Sequence, residues 1–240
     1  MHIPNGFLDP KVSAGTAFAA AGVLGYCVAK VRQALSAAVP EAIIAGISCN
    51  ITEGSKKLIS SFAENHLMRM GAIGSLIFAA QMFNFPVNSG TSGHLLGGVI
   101  AAIALGPFSG SIVIAVVLAV QSIFFADGGI AALGANILNM AVIGTLGSYY
   151  IYYFINRIFK NKPGFYAGIF MAAFFSVLTA SVACSFEVAL SGTIELSKIL
   201  PAMASVHAKI GVAEALITIM AIEILKSIKF ELDGEVKDEE

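Results

Sequence analysis

The sequence predicts an all-α membrane protein, a single bundle of about seven transmembrane helices, and three observations predict it. Only 12% of the 240 residues are charged while 57% are hydrophobic, whereas a soluble domain carries about 25% charged residues. Mean hydropathy is correspondingly high, at +0.84. The charges also avoid long stretches of chain: none falls between Lys11 and Lys30, from Gly128 to Asn156 or from Pro163 to Phe186, and only His94 interrupts the run from Arg69 to Asp127. A helix that crosses hydrocarbon about 30 Å thick needs about 20 such residues, which these runs supply.

Breaks at proline, glycine and polar clusters divide the apolar sequence into helices near 12–32, 67–85, 92–106, 108–126, 134–157, 164–190 and 205–226. The first carries "SAGTAFAAAG" and is followed by Lys30 and Arg32; the second opens beside His66 and Arg69 and carries "MGAIGS". Runs of Gly, Ala and Ser let transmembrane helices approach closely, so one compact bundle is expected over 1–230. The third follows "PVNSGTSGHLLGG" and the fourth ends at "FFADGG"; the fifth contains "GANILNM", the sixth ends beyond Glu187, and the seventh begins near His207. The stretch 33–65, with "VPEAIIAGIS" too short to span, reads as a cytoplasmic or interfacial amphipathic helix inserted between the first two spans. The tail 231–240 is acidic and polar and reads as flexible.

Lysine and arginine placement orients the bundle. With the N-terminus outside, the cytoplasmic segments hold Lys30, Arg32, Lys56, Lys57, Arg69, Arg157, Lys160, Lys162, Lys226, Lys229 and Lys237, and the outer ones Lys11, Lys198 and Lys209: eleven against three. Seven spans then leave the C-terminus cytoplasmic. The basic residues flanking the first span follow it instead of preceding it, so the segment does not read as a cleavable signal. A net charge of −1 offers no concentrated basic face for nucleic acid. Cys27, Cys49 and Cys184 are isolated, without CxxC spacing, and read as packing thiols.

His2 brings an imidazole and its own amide next to the α-amine of Met1. Amine, amide and imidazole in series close two small chelate rings on one ion, and such nitrogen-rich planar chelation suits divalent nickel, copper or cobalt. The competing reading is a surface histidine on a disordered terminus. A further ligand has to come from elsewhere. His94 and His207 both lie at the outer ends of their spans, within reach of the N-terminus, whereas His66 lies on the opposite face. Asp127, Asn136, Asn139, Glu187 and Glu214 collect in the same outer half, and polar groups at membrane depth usually face the bundle interior and mark a functional path. Gly90-Thr91-Ser92-Gly93 also has the Gly-x-Ser-Gly form of intramembrane serine proteases, which makes Ser92 a candidate nucleophile with His207 as its base.

"MHIPNGFL", "NFPVNSGTSGHLLGG", "ADGGIAALGANILNMAVIG" and "VHAKIGVAEALIT" together resemble the CbiM/NikM family, the substrate-binding membrane components of cobalt/nickel energy-coupling-factor transporters. The resemblance runs from the first residue to about residue 220. It implies a terminus tucked into the bundle, with Met1, His2 and His94 as ligands of Co²⁺ or Ni²⁺ carried as substrate. Asn84, Thr91, Ser92, Asp127 and Asn136 would form the supporting shell. It implies as partners a transmembrane coupling subunit, cytoplasmic ATPases and often a small accessory membrane protein, in a prokaryotic plasma membrane. The sequence has no Gly-x-x-x-x-Gly-Lys phosphate loop, so ATP hydrolysis belongs to those partners and the chain reads as a transport subunit, not an enzyme. A stand-alone secondary metal transporter is the further alternative. The 33–65 stretch is longer than the link usual in this family. On this reading Pro4-Asn5-Gly6 is the turn that folds the terminus back.

Overall fold

The computed structural model describes residues 1–44, 53–87 and 91–236, side chains excepted at 38–44, 53–62, Pro86 and Thr91. Its elements run α1 (Pro10–Ile44), α2 (Glu53–Gln81), β1 (Phe85–Val87), β2 (Thr91–Gly93), α3 (Gly98–Leu105), α4 (Pro107–Phe124), α5 (Leu133–Ile137), a π-helical segment (Leu138–Gly147), α6 (Ser148–Ile158), α7 (Lys162–Leu190) and α8 (Leu196–Ser227). Because α5, the π segment and α6 follow one another without a break, the described chain forms seven helical rods. By length and composition, Pro10–Ala37, Pro107–Phe124 and Lys162–Leu190 are each apolar enough to cross a membrane.

The bundle is built around α7 and α8. Along α7, Gly168, Ala172, Ser176, Ala180 and Cys184 recur every fourth residue and are buried, a stripe of small side chains that allows close backbone approach. In contrast α1 lies at the margin, with Ala20 and Cys27 buried and Phe18 fully on the outside.

Three expectations are corrected. The third helix does not start at residue 92: residues 85–93 form an antiparallel hairpin with Phe85 opposite Gly93 and Val87 opposite Thr91, and α3 begins only at Gly98. Pro86 lacks the N–H a helix needs, and Gly97 adopts φ 73, a conformation that excludes it from a right-handed helix. At eight residues, about 12 Å long, α3 is too short to span, yet every one of its residues is buried. Second, the 33–65 stretch is not a separate interfacial helix. It is mostly the ends of α1 and α2, which run to Ile44 and from Glu53; residues 45–52 lie outside the described residues.

Third, the tail is docked up to Val236. Gly234 and Asp233 donate backbone N–H groups to the carbonyls of Ile103 (3.0 Å) and Ala104 (3.4 Å), Arg69 donates to Ala104 as well, and Leu232 is buried. Lys226 pairs with Glu235 at 2.5 Å. The last carbonyls of a buried helix need partners from outside it, and the tail supplies them for α3. Residues 237–240 lie outside the described residues.

Candidate metal site

The first residues thread into the bundle. Met1 and Ile3 are fully buried and His2 is 4% exposed. Polar backbone taken out of water must find partners, and here each comes from a different part of the chain. The Met1 amine donates to the Ser92 carbonyl at the end of the hairpin. Asn136 at the end of the fifth rod's first turn treats Ile3 as a strand would, accepting its N–H at 2.9 Å and donating to its carbonyl at 3.3 Å. Gly129 donates to the same carbonyl at 2.8 Å. It lies so close that a Cβ there would fall within 2.7 Å of the Asn5 side-chain oxygen and the Pro4 carbonyl carbon. The expected turn is present: Gly6 has φ 84, and beyond it the Phe7 carbonyl accepts from Thr193 at 2.6 Å.

This threading brings His2 against His94, with ring centroids 4.5 Å apart. His94 donates from Nδ1 to the Leu95 carbonyl at 2.7 Å, and His207 from Nδ1 to the Met203 carbonyl at 2.8 Å. A carbonyl can only accept, so Nδ1 carries the proton in both rings and Nε2 presents a bare lone pair. The Nε2 atoms of His2, His94 and His207 are all buried without a hydrogen-bond partner. Leaving one such atom unpaired costs about 1–3 kcal/mol. The His2 and His94 rings are in contact beside the buried amine, and His207 stands near Gly93.

Asp127 holds the other side of His2, its Oδ1 2.7 Å from Nδ1, while Oδ2 accepts from Asn84 at 3.2 Å. Burial alone would raise the Asp127 carboxyl, but the His2 and Asn84 contacts outweigh it and the net shift is downward. Burial pushes the Met1 amine down to about 5, so at neutral pH it too offers a lone pair. Both His2 and His94 are lowered by burial first and by the nearby amine next, the Asp127 contact partly opposing this at His2. Among the described residues no three His, Cys, Asp or Glu side chains form a ready-made cage. The amine–amide–imidazole chelate would add main-chain nitrogens to these side chains. For that chelate Nδ1 must exchange Asp127 for the ion.

Of the supporting residues, Ser92 contributes its carbonyl, Asp127 touches His2, Asn136 touches Ile3, and Asn84 is linked to His2 only through Asp127; the Thr91 side chain lies outside the described residues. Glu187 is elsewhere, accepting from Asn139 of the π segment at 2.5 Å. His66 lies by the tail, 2.9 Å from the Ser109 hydroxyl and 3.7 Å from Asp233. The hydrolase pair is not formed: His207 spends Nδ1 on Met203, and its Nε2 bonds to nothing.

Sequence reasoning put His207 within reach of the terminus but gave it only the role of a hydrolase base; a methyl on Gly93 would come within 3.4 Å of its Nε2. The available signal was the helical spacing of Met203, His207, Ile210 and Glu214, all buried on one face of α8. Reasoning also missed Cys184, whose thiol approaches the Met1 carbonyl at 3.9 Å.

Known proteins resemble this chain over most of its length. Residues 2–232 match the family described as the cobalt uptake substrate-specific transmembrane region, CbiM. A protein of Archaeoglobus fulgidus, provisionally named a fused nickel transport protein NikMN, is 37% identical over 91% of this chain, which spans 63% of that relative's length. The cobalt transport protein CbiM of Thermosipho melanesiensis is 31% identical over 67% of this chain and 69% of its own. Among solved structures, a truncated transition metal transporter superposes with a TM-score of 0.78 at 27% identity, covering 95% of this chain and 99% of that one. From the second residue to the docked tail, then, this chain belongs to the CbiM family of membrane proteins for cobalt and nickel transport.

Proposed function

We propose that this chain captures Co²⁺ or Ni²⁺ with high affinity at the outer face of a prokaryotic plasma membrane, as the substrate-specificity subunit of an ATP-driven energy-coupling-factor transporter. The observation that carries the reading is the buried terminus: the Met1 amine and His2 are packed against His94, with bare imidazole nitrogens that no protein group satisfies. Met1 and His2 would supply amine, amide and imidazole, and His94 the remaining nitrogen, while Ser92, Asp127, Asn84, Asn136 and Thr91 support them. Eleven basic residues against three favour an external N-terminus, so the ion enters from outside. Nothing in the sequence supplies energy for release. That task falls to a transmembrane coupling subunit and cytoplasmic ATPases, with a small accessory membrane protein as a further partner.

Isothermal titration of the purified protein tests the reading. Acetylation of the Met1 amine removes its lone pair without adding another amine, and should reduce Ni²⁺ and Co²⁺ affinity by at least the roughly 10–100-fold that loss of an outer-shell partner costs. His94→Ala should do the same, and His66→Ala should bind normally. Unchanged affinity after acetylation would dismiss the terminal chelate.

A further inference from the structure

The turn that follows His94 is not held by its own neighbours. Leu96 and Gly97 direct their backbone N–H groups at the two carboxylate oxygens of Glu214, at 2.9 Å to Oε2 and 2.6 Å to Oε1. Gly97 is the residue just before α3, in a left-handed conformation with φ 73, and no side chain of its own segment caps the helix. Glu214 comes instead from α8 and is 2% exposed. Every residue of α3 is buried, so water is not at hand to satisfy these N–H groups, and the positive end of the helix adds to the attraction for a carboxylate.

The same face of α8 also touches the chain on the near side of His94. Ile210 packs so closely on Gly93 that a Cβ there would stand 2.6 Å from its Cδ1, and His207 Nε2 lies at 3.4 Å from the same point. His207 and Glu214 are seven residues apart, two helical turns or about 10 Å. They bracket residues 93–97, with His94 between them. Gln81 completes the hold by donating to the Leu96 carbonyl at 2.7 Å, so both polar groups of the Leu96 backbone are fixed by side chains of other helices. The position of the His94 imidazole follows, because its Nδ1 is tied to the Leu95 carbonyl in the middle of the clamped segment.

We propose that Glu214 is a positioning residue for the metal ligand His94: by gripping Leu96 and Gly97 it fixes the backbone from which the imidazole is presented. This rests on the reading of His94 as a ligand. Glu214 does not touch the ion; it sets where the ligand stands.

The test compares Glu214→Gln and Glu214→Leu with Glu187→Gln, a buried carboxylate variant whose partner is Asn139 and not the segment that carries His94. Ni²⁺ affinity, the ligand-field spectrum of the Ni²⁺-loaded protein and metal-free thermal stability are measured for each. Glu214→Gln puts an amide donor against one of two N–H groups, and should weaken binding about 10–100-fold, the range for residues that orient a ligand, with a changed spectrum. Glu214→Leu should be worse, and adding either change to His94→Ala should cost no further affinity. Glu187→Gln should lower stability while affinity and spectrum stay as in the wild type. Folded Glu214 variants with wild-type affinity and spectrum would overturn the proposal, as would equal losses from Glu187→Gln. If the wild-type chain bound neither ion, the metal reading itself would fall, and this proposal with it.

Discussion

At His2 two partners compete for one nitrogen. Asp127 holds Nδ1 at 2.7 Å, and the same atom is the one that closes a chelate ring with the residue's own amide. Capture therefore exchanges a hydrogen bond for a metal bond, and protons report the exchange. Burial lowers the Met1 amine to about 5 and lowers both imidazoles, so near neutral pH these three groups have no proton to lose. The His2 amide still has one, which it must release to bind. Affinity for Ni²⁺ should then rise about tenfold per pH unit over roughly pH 7 to 8, one proton per ion. An amine left at its ordinary value near 8 would add a second proton and steepen the dependence to about a hundredfold per unit below that value. Titration calorimetry in buffers of different ionisation enthalpy counts the protons directly.

At the scale of elements, α3 depends on its two ends. Its first N–H groups rest on Glu214, and its last carbonyls rest on Gly234, Asp233 and Arg69. Removing residues 231–240 should leave the Ile103 carbonyl without its partner and Ala104 with Arg69 alone, costing about 2 kcal/mol or about 4–8 °C in Tm, measured by thermal unfolding in detergent. The long helices were legible because uncharged runs of spanning length have few other uses. The hairpin and α3 were not: Gly90 to Leu105 is as small and apolar as any span, and what separates strand, turn and short helix there is a φ of 73 at Gly97 and a carboxylate 117 residues away. The tail misled for the converse reason, since "FELDGEVKDEE" looks solvated, and only the unsatisfied end of α3 explains why it docks. Within the site, His2, His94, Asp127 and Asn136 were named from sequence. His207 was assigned another role because its Nε2 environment is set by the packing of Ile210 on Gly93.

For the whole molecule, the proposed function makes binding and transport separate properties. The described residues present a closed bundle with the candidate site under a buried terminus, and no part of the sequence couples that site to an energy source. Sealed vesicles that contain this chain alone should bind ⁶³Ni²⁺ but accumulate none in their lumen. Uptake should appear when a coupling subunit and ATPases are co-reconstituted with ATP. Lumenal accumulation by the chain alone would assign it to the secondary transporters instead.

The brevity of α3 has a consequence for its motion. Eight residues fall short of the ~12–15 that an isolated helix needs to persist in water, so its order is borrowed from what holds its two ends. The carboxylate at its head and the folded-back tail at its foot are therefore the places where opening would begin, and loosening either should speed amide hydrogen exchange across Gly98–Leu105 before the rest of the bundle unfolds.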